Sequence, residues 1–377
     1  MAVQNFSAVA GQQSVKDLLL GAVKRNHVSH ALHFVGPEGS GNLALALAFA
    51  AYLFCDQPNE HDACGTCPSC VKMASLQHPD LHFVFPVVKP DTNKSAEVFM
   101  PQWREMLLGN PLLTYKDWMQ VIADENKTGI ISVHLAQEIQ QKVSMKSFEG
   151  GYRIALIWMP ETMRPPAANK LLKVIEEPPA KTLFLLVGNS RDTLLPTILS
   201  RLQTVKVPAL ADAEVETVLR DKMGAAPQKA RHIALMSEGN LRDALLHMQE
   251  EGGQEDFVAL FGDWFRACYK KSDGVNRVAL SERFSDLKRE GQKSFLTFTL
   301  KMLRQCMLAA NRREDLLTVD GDARKLVMNL SKAIPAQAMP QMAKVIDEAV
   351  YHIERNANAK ITFVDLSVQI KNLFWNS

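Results

Sequence analysis

Short apolar runs alternate with segments of helical periodicity through the first 207 residues. The strand-like runs are residues 31–35, 81–88, 153–158 and 182–187. The segments with helical spacing are residues 15–26, 43–54, 133–145 and 167–175. Strands that are apolar on both faces are typical of parallel sheets covered by helices. The alternation therefore predicts an α/β domain built on a parallel sheet.

After residue 207 the strand-like runs stop and only helical patterns follow. The predicted helices are residues 211–223, 228–236, 240–250, 294–311, 322–333 and 336–354. We expect three domains: an α/β domain at 1–207, a small helical domain at 208–252 and a larger helical domain at 253–377. Residues 89–128 are polar and contain three prolines. They are expected to form an insertion with helices near 103–108 and 115–122.

Charge and composition narrow the function classes. The chain of 377 residues has 43 Lys and Arg against 41 Asp and Glu, a net charge of +2. Strong stand-alone binding to duplex DNA comes mainly from neutralising phosphates, so any DNA contact is expected to be local or shared with partners. The N-terminus has no signal-peptide pattern, and no apolar run approaches the roughly 18 residues of a membrane span. We expect a cytoplasmic protein without a membrane partner.

Four cysteines follow the helix predicted at 43–54, with the spacing C-x8-C-x2-C-x2-C. They are Cys55, Cys64, Cys67 and Cys70. In a cytosolic protein such cysteines are thiols or metal ligands rather than disulfides. Four thiolates suit tetrahedral Zn²⁺, and a closed site with four protein ligands is structural rather than catalytic. An iron–sulfur cluster is the alternative, although the fourth spacing does not fit it.

The other cysteines and the nearby histidines have simpler interpretations. Cys268 and Cys306 lie in helical stretches and are expected to be buried as small apolar groups. His61 and His78, inside and just after the cysteine module at 55–70, are expected at the surface.

A glycine-rich segment at residues 36–43 follows one predicted strand and precedes a helix. This is the context of a phosphate-binding loop, G-x-x-x-x-G-K-[ST]. The residues in question are Gly36, Gly39, Gly41, Asn42 and Leu43. Asn42 stands where the lysine would neutralise phosphate charge, and Leu43 stands where a hydroxyl would hold Mg²⁺. An ordinary glycine-rich turn is the alternative interpretation.

The acidic pair that completes such a site is also missing. The strand predicted at 153–157 is followed by Trp158 and Met159, and Glu161 is expected on the next turn. Without these groups, phosphoryl transfer lacks its main charge-stabilising elements. ATP is therefore expected to be neither hydrolysed nor bound.

Three further strings carry a resemblance to a known family. Residues 168–179 (ANKLLKVIEEPP), 195–203 (LPTILSRLQ) and 238–245 (EGNLRDAL) resemble signature segments of the AAA+ clamp-loader subunits of bacterial DNA polymerase III. Gly11-Gln12, His30-Ala31 and residues 356–366 also match family positions. The resemblance spans nearly the whole chain and is weakest at 86–128 and 253–350.

The resemblance implies an AAA+ domain, a helical lid and a helical collar through which five subunits form a ring. Such a ring opens a sliding clamp and places it on primed DNA, as part of the DNA polymerase III holoenzyme. The implied partners are gamma/tau-type ATPases, the delta subunit, the clamp and primed DNA through the complex. The resemblance also implies a zinc module at this position.

The degenerate loop favours the delta-prime type of subunit within this family. An ATP-hydrolysing gamma/tau-type subunit and an independent zinc-dependent DNA-binding protein are the alternatives. The resemblance implies that Arg201 reaches the nucleotide of a neighbouring subunit, with a structural arginine as the alternative. Arg242 and Asn189 lie at positions that sense nucleotide in active relatives, but a salt bridge and a turn are simpler roles for them here.

Two expectations concern the surface. Lys142, Lys146 and Arg153 are candidates for DNA contacts inside the ring, against the simpler interpretation of solvated side chains. Phe374 and Trp375 are expected to pack the last helix rather than form a partner-binding tail.

Overall fold

The computed structural model describes residues 5–88, 96–123, 127–192, 194–249, 257–317, 319, 321–355 and 357–375. The chain divides into two compact units, Met1–Gln249 and Glu250–Ser377. Residues 89–95 and 124–126 of the predicted insertion and Asn356 of the family-like string lie outside the described residues. The separate division of the first unit at residue 207 stays a prediction.

A five-stranded parallel sheet forms the centre of the first unit. Its strands are β1 (Ala31–Val35), β2 (Leu81–Val84), β3 (Arg153–Trp158), β4 (Thr182–Gly188) and β5 (Gln203–Lys206). Their order is β2-β3-β4-β1-β5, and all neighbours pair in parallel. Val35 pairs with Gly188 and Trp158 with Val187, so the carboxyl ends of the three central strands meet at one edge.

Eleven α-helices accompany this sheet in the described part of the first unit. They are α1 (Gln13–Lys24), α2 (Asn42–Phe54), α3 (Pro68–Ala74), α4 (Met100–Gly109), α5 (Tyr115–Ile122), α6 (Val133–Ser144), α7 (Pro165–Glu176), α8 (Pro196–Leu199), α9 (Asp212–Met223), α10 (Pro227–Ser237) and α11 (Leu241–Gln249). α2 is apolar nearly all round, as expected for a helix enclosed on every side, and 11 of its residues are buried. The predicted α/β class is confirmed.

The strand β5 is the one element of the sheet that the sequence pattern missed. Only Val205 of its four residues is buried, and its neighbours are polar. An edge strand that is solvated on one side lacks the continuous apolar run by which the central strands were predicted. The two helices predicted in the insertion are present as α4 and α5.

Helices α9–α11 share an apolar cluster distinct from the core around the sheet. Val215, Leu219, Ile233 and Ala244 lie at its centre. Leu112, from the loop before α5, packs against this cluster. These helices therefore have a core of their own, in contact with the predicted insertion.

The second unit is helical throughout its described residues. Its helices are α12 (Phe257–Tyr269), α13 (Gly274–Asp286), α14 (Arg289–Ala310), α15 (Gly321–Ala333), α16 (Met339–Glu354) and α17 (Ala359–Trp375). Trp264 is fully buried against Phe363, with ring centroids 4.6 Å apart, and its Nε1 donates to Ser367 Oγ at 2.8 Å. A membrane span needs roughly 20 mostly apolar residues, and no helix among those described meets that requirement.

The buried cysteines and the last helix of this unit are as expected from the sequence. Cys268 and Cys306 are fully buried, and burial raises the pKa of each thiol to about 12. Phe374 is buried against Phe265 and Tyr269. Trp375 is partly exposed, and its Nε1 donates to the backbone oxygen of Tyr269 at 3.0 Å. Both residues thus pack the last helix.

Candidate functional site

The loop between β1 and α2 depends on its glycines for its backbone conformation and packing. Gly39 and Gly41 have φ of +74° and +87°, values that favour glycine. A Cβ on Gly36 would lie 2.1 Å from the backbone oxygen of Val207, and one on Gly39 would lie 1.8 Å from Asn240 Oδ1. The glycines are therefore required by close packing against neighbouring segments, whatever the loop binds.

The two positions that would handle phosphate and Mg²⁺ serve the fold. Asn42 Nδ2 donates to the backbone oxygen of Gly188 at 2.9 Å, and the Leu43 N–H donates to Asn42 Oδ1 at 2.8 Å. Leu43 is buried in the main core. Asn42 thereby ties the start of α2 to the end of β4, and neither side chain offers a charge or a metal ligand.

The end of β3 carries an aromatic ring where an acidic side chain would stand. Trp158 packs against Trp103 of α4, with ring centroids 5.0 Å apart. Met159 follows in a left-handed conformation, with φ of +54°. Neither residue can ligate Mg²⁺, as the sequence predicted.

Glu161 is the nearest carboxylate after β3 in the chain, and it lies on a 3-10 turn, Pro160–Thr162. Its Oε1 accepts from the Asn189 N–H at 3.1 Å. Burial raises the pKa of Glu161, and the hydrogen bond from Asn189 offsets part of that rise. A Cβ on Gly188 would lie 2.5 Å from Glu161 Oε2. This carboxylate therefore supports the turn after β4 and is enclosed rather than open to a ligand.

Arg242 is bound to a carboxylate of the same unit. Its Nη2 donates to Asp117 Oδ1 at 2.6 Å and its Nε donates to Asp117 Oδ2 at 3.1 Å. Burial raises the pKa of Asp117, but hydrogen bonds from Thr114 and Arg242 outweigh it, and the pKa lies below its usual value. The sequence pointed to a salt bridge for Arg242 without identifying this partner.

Arg201 lies just after α8 and contacts a different set of residues. Its Nη1 donates to the backbone oxygen of Thr197 at 2.7 Å and to Ser200 Oγ at 3.3 Å. Its Nε lies 3.2 Å from Glu176 Oε2, at the end of α7. About a third of the Arg201 side chain is exposed. The guanidinium is therefore held by α7 and α8 at the surface of this chain, and it does not line the cleft at the phosphate loop.

The four cysteines of the module converge between the end of α2 and the start of α3. Their Sγ atoms all lie within 4.8 Å of one another. The Cys64–Cys70 and Cys67–Cys55 sulfurs are 3.9 and 4.0 Å apart. Ligands at about 2.3 Å around a tetrahedral zinc ion would be about 3.8 Å apart. The module could therefore hold a metal ion of this size.

Backbone N–H groups point at three of these sulfurs. The N–H groups of Cys64, Cys67 and Cys70 donate to the Sγ atoms of Cys55, Cys64 and Cys67 at 3.2, 3.3 and 3.4 Å. Such donors stabilise negative charge on sulfur, and thiolates are the form of cysteine that binds metal. The local fold thus suits a metal-thiolate centre.

Acidic side chains that the sequence analysis did not single out fix the surroundings of the module. Asp62 accepts hydrogen bonds from the N–H groups of Phe6 and Ser7, both at 2.8 Å. Asp80 accepts from the N–H groups of Phe148 and Glu149, at 2.8 and 3.0 Å. Each contact joins residues more than 50 positions apart, so local spacing gave no signal for it.

The expectation that His78 lies at the surface is wrong. Its ring is buried and stacks on Phe54, with centroids 3.8 Å apart. His78 Nε2 lies 3.0 Å from Glu149 Oε2, and its Nδ1 accepts from the Asp80 N–H. Burial lowers the pKa of His78, with Glu149 and Asp80 opposing that change. The neutral ring thus fills the space beside α2, while His61 is exposed as expected.

Arg153 is also not the solvated residue that the sequence suggested. Its guanidinium is buried and donates to the backbone oxygens of Val143 and Ala180, at 2.8 and 2.9 Å. It therefore joins the end of α6 to the turn before β4 rather than facing a ligand. Lys142 is partly buried between Glu138 and Glu97, and Lys146 is exposed.

Comparison with known sequences decides the family. The family described as "DNA polymerase III, delta subunit" matches residues 11–211, which is more than half of the chain. The chain belongs to this DNA polymerase III delta-subunit family. The match covers the whole sheet, the phosphate loop and the cysteine module, and it ends just before α9.

Relatives of the family agree with this assignment. DNA polymerase III subunit delta' of Bacillus subtilis (strain 168) is 28% identical over 236 residues, 62% of this chain and 58% of that protein. The delta' subunit of Escherichia coli (strain K12) is 27% identical over 183 residues, 48% and 43%. The tau subunit of B. subtilis is 21% identical over 97% of this chain and 61% of its own length. The chain thus spans about half the length of the curated relatives it matches.

Solved structures align with most of this chain, but with low sequence identity and low TM-scores. A DNA polymerase III gamma subunit-related protein from Thermotoga maritima covers 94% of this chain and 99% of its own, with 14% identity and a TM-score of 0.36. The RuvB Holliday junction branch migration motor of the same organism covers 88% and 91%, with 15% identity and a TM-score of 0.41. The family assignment therefore depends on the sequence match.

Proposed function

We propose that this chain is a non-hydrolysing, delta-prime-type subunit of the DNA polymerase III clamp loader. The observation that carries the proposal is the phosphate loop, whose Asn42 and Leu43 are committed to the fold while Trp158 replaces an acidic side chain. Phosphoryl transfer needs a cation on the phosphates and ligands for Mg²⁺. The names of the delta' relatives support the same choice.

A gamma/tau-type ATPase is the second candidate, because the B. subtilis tau subunit aligns with nearly the whole chain. That role requires the side chains that are missing at the phosphate loop and after β3. We therefore place the chain beside such ATPases as a partner, together with the delta subunit, in a ring that loads the sliding clamp on primed DNA. With a net charge of +2, the chain would meet DNA through the complex, in the cytoplasm.

The cysteine module is proposed to hold one structural zinc ion. All four sulfurs face one another at distances that suit tetrahedral coordination, and four protein ligands leave no open position for a reacting group. Through Asp62, the module also fixes the N-terminal segment that precedes α1. We further propose that the second unit is the collar through which the chain assembles.

Arg201 is proposed to act on the nucleotide of a neighbouring ATPase subunit. The chain has no phosphate chemistry of its own for this arginine, yet its guanidinium is held at the surface by Thr197 and Glu176. A guanidinium is planar, always charged and able to bind two phosphate oxygens. Arginines supplied across a subunit boundary accelerate phosphoryl transfer by about 10³–10⁵ in the best-studied cases.

The test is reconstitution of the loader with Arg201→Ala in this chain. We expect the complex still to assemble on size-exclusion chromatography. The rate of clamp- and DNA-stimulated ATP hydrolysis should fall by the fraction that is contributed by the one ATPase site that Arg201 contacts. Arg201→Lys should be nearly as impaired, since an ammonium cannot reproduce the planar two-oxygen contact. Arg220→Ala is the control, because Arg220 is an exposed arginine of the same unit whose guanidinium pairs with Asp221, its neighbour in α9. An unchanged rate in an intact Arg201→Ala complex would remove the arginine from the proposal.

A further inference from the structure

The cleft beside the phosphate loop is filled by the chain's own insertion. Residues 111–114, in the loop between α4 and α5, line the same cavities as Gly39 and Gly41. Two cavities between this segment and the phosphate loop have volumes of about 30 and 10 Å³. Small-molecule sites typically have roughly 300 Å³ or more, and about 10–15 Å³ holds one water molecule. A nucleotide therefore has no room in this arrangement.

Two neighbouring residues of this segment pack in different directions. Leu112 packs against the apolar cluster of α9–α11, whereas Leu113 is buried in the core around the sheet. The segment 111–114 thus contacts both the sheet core and the helices that follow residue 208.

Aromatic side chains hold this segment in place. One of them, Trp158, stands where an acidic residue of the site would be expected. Trp103 of α4 lies between Phe85 and Trp158, with centroid distances of 4.5 and 5.0 Å. Trp118 of α5 lies 5.3 Å from Trp103, and its Nε1 donates to the backbone oxygen of Pro86 at 2.7 Å. Trp158 stands where a catalytic carboxylate would be expected, so the lost acidic position now anchors the insertion.

The carboxylate of Asp117 binds Arg242, the arginine that would contact nucleotide in an active relative. Asp117 binds Arg242 through two oxygens, at 2.6 and 3.1 Å, in the geometry that guanidinium also uses for phosphate. Its Oδ2 accepts in addition from Thr114 N and Oγ1, both at 2.8 Å, in a capping box at the start of α5. Asp117 therefore presents a fixed negative charge to the first turn of α11.

We propose that residues 111–117 occupy the nucleotide cleft as a built-in ligand, and that the Asp117–Arg242 ion pair holds α9–α11 against the sheet in place of a phosphate. The proposal deepens the proposed function and rests on it for the identity of the cleft. A subunit of this kind keeps one arrangement of these helices whether or not ATP is present, while its ATPase neighbours respond to nucleotide.

The test is hydrogen–deuterium exchange of α9–α11 in the full chain. In the wild type, millimolar ATP with Mg²⁺ should leave exchange of these helices unchanged. Asp117→Ala should speed exchange in α11 about tenfold, since a hydrogen bond to a charged group is worth about 1.5–3 kcal/mol. Asp117→Ala combined with Arg242→Ala should be no faster than Asp117→Ala alone, because both variants remove the same contact.

Two further variants keep the outcome decisive. Asp221→Ala on α9 removes an exposed carboxylate from the same helices and should exchange like the wild type. Leu112→Ala truncates a half-buried side chain, so it should fold and speed exchange in α9–α11 even if Asp117→Ala does not fold. Slower exchange of the wild type with ATP, or wild-type exchange in both Asp117→Ala and Leu112→Ala, would overturn the proposal. None of these measurements requires partner subunits, so their failure is distinct from that of Arg201→Ala.

Discussion

The regions at the two ends of α2 differ in whether their side chains could bind a ligand. At its N-terminal end the phosphate loop keeps its glycines, but Asn42 and Leu43 have lost the charge and the metal ligand. At its C-terminal end Cys55 begins a module in which all four sulfurs converge and backbone N–H groups still point at them. One buried helix therefore joins a loop that has no charged or metal-binding side chain at Asn42 and Leu43 to a cluster of four cysteines that could hold a metal ion.

The difference shows what each site contributes to this chain. A phosphate loop can lose its ligand when other parts of the chain take its place, and here Leu112 and Asp117 fill that role. The module has little apolar packing that could stabilise it in place of a ligand. Its buried hydrophobic residues are few, and most of them are the cysteines themselves. We expect a bound ion to stabilise so small a core, whereas packing stabilises the cleft.

Cys67→Ser should give the largest effect, because metal binding contributes on the order of 10 kcal/mol to the folding of small zinc domains. We expect the purified wild type to contain about one zinc ion per chain and the variant to lose it. Thermal unfolding should begin at lower temperature, and proteolysis should increase at residues 55–80. Metal analysis by mass spectrometry and limited proteolysis measure both outcomes.

Thr66→Ser is the matched control for Cys67→Ser. Thr66 is an exposed neighbour in the same turn and is not one of the four ligands. Iron in place of zinc, or a reduced wild-type sample without metal, would contradict the comparison between the two ends of α2.

The Asp117–Arg242 pair should give a smaller, pH-dependent effect at the other end. The pKa of Asp117 is below its usual value in the folded chain, so the pair stabilises above the unfolded pKa of about 4. That stability is lost as the pH falls through the lower, folded value. At pH 7 Asp117→Asn should be less stable by about 1–3 kcal/mol. Urea unfolding at pH 7, 5, 4 and 3, followed by tryptophan fluorescence, measures the difference.

The same titration contains its own check. The stability difference between wild type and Asp117→Asn should shrink below pH 4, while Asp221→Asn should stay close to the wild type at each pH. A difference that is constant with pH would mean that the carboxylate charge is not what holds the pair.

Much of the fold followed from the sequence because its elements are locally encoded. The runs at 31–35 and 153–158 became β1 and β3 with the predicted bounds, since continuous apolar strands are buried on both faces. The cysteine spacing and the glycines of the loop likewise specify geometry within a few residues. The edge strand β5 was missed because only Val205 faces the core.

The parts that could not be predicted depend on contacts between distant positions. Thr114 and Asp117 have the spacing of a capping box, but Arg242 is 125 residues further along the chain. His78 carries no signal that its ring will stack on Phe54, 24 positions earlier. A sequence pattern reports periodicity along one element, and it is silent about which charged group another element brings to it.

We expect the smallest change in activity when the missing residues of the phosphate loop are restored. Asn42→Lys with Leu43→Thr recreates the phosphate-loop pattern, yet we expect no ATP hydrolysis above the wild-type background in a coupled assay. β3 would still end in Trp158 and Met159, without a carboxylate for Mg²⁺, and residues 111–114 would still fill the cleft. Stability should fall, because the lysine loses the hydrogen bond of Asn42 to Gly188 and the threonine fills less of the buried space of Leu43. Metal-dependent hydrolysis that Gly41→Asp abolishes would show instead that two side chains are all that separates this loop from an active one, and that the insertion does not close it.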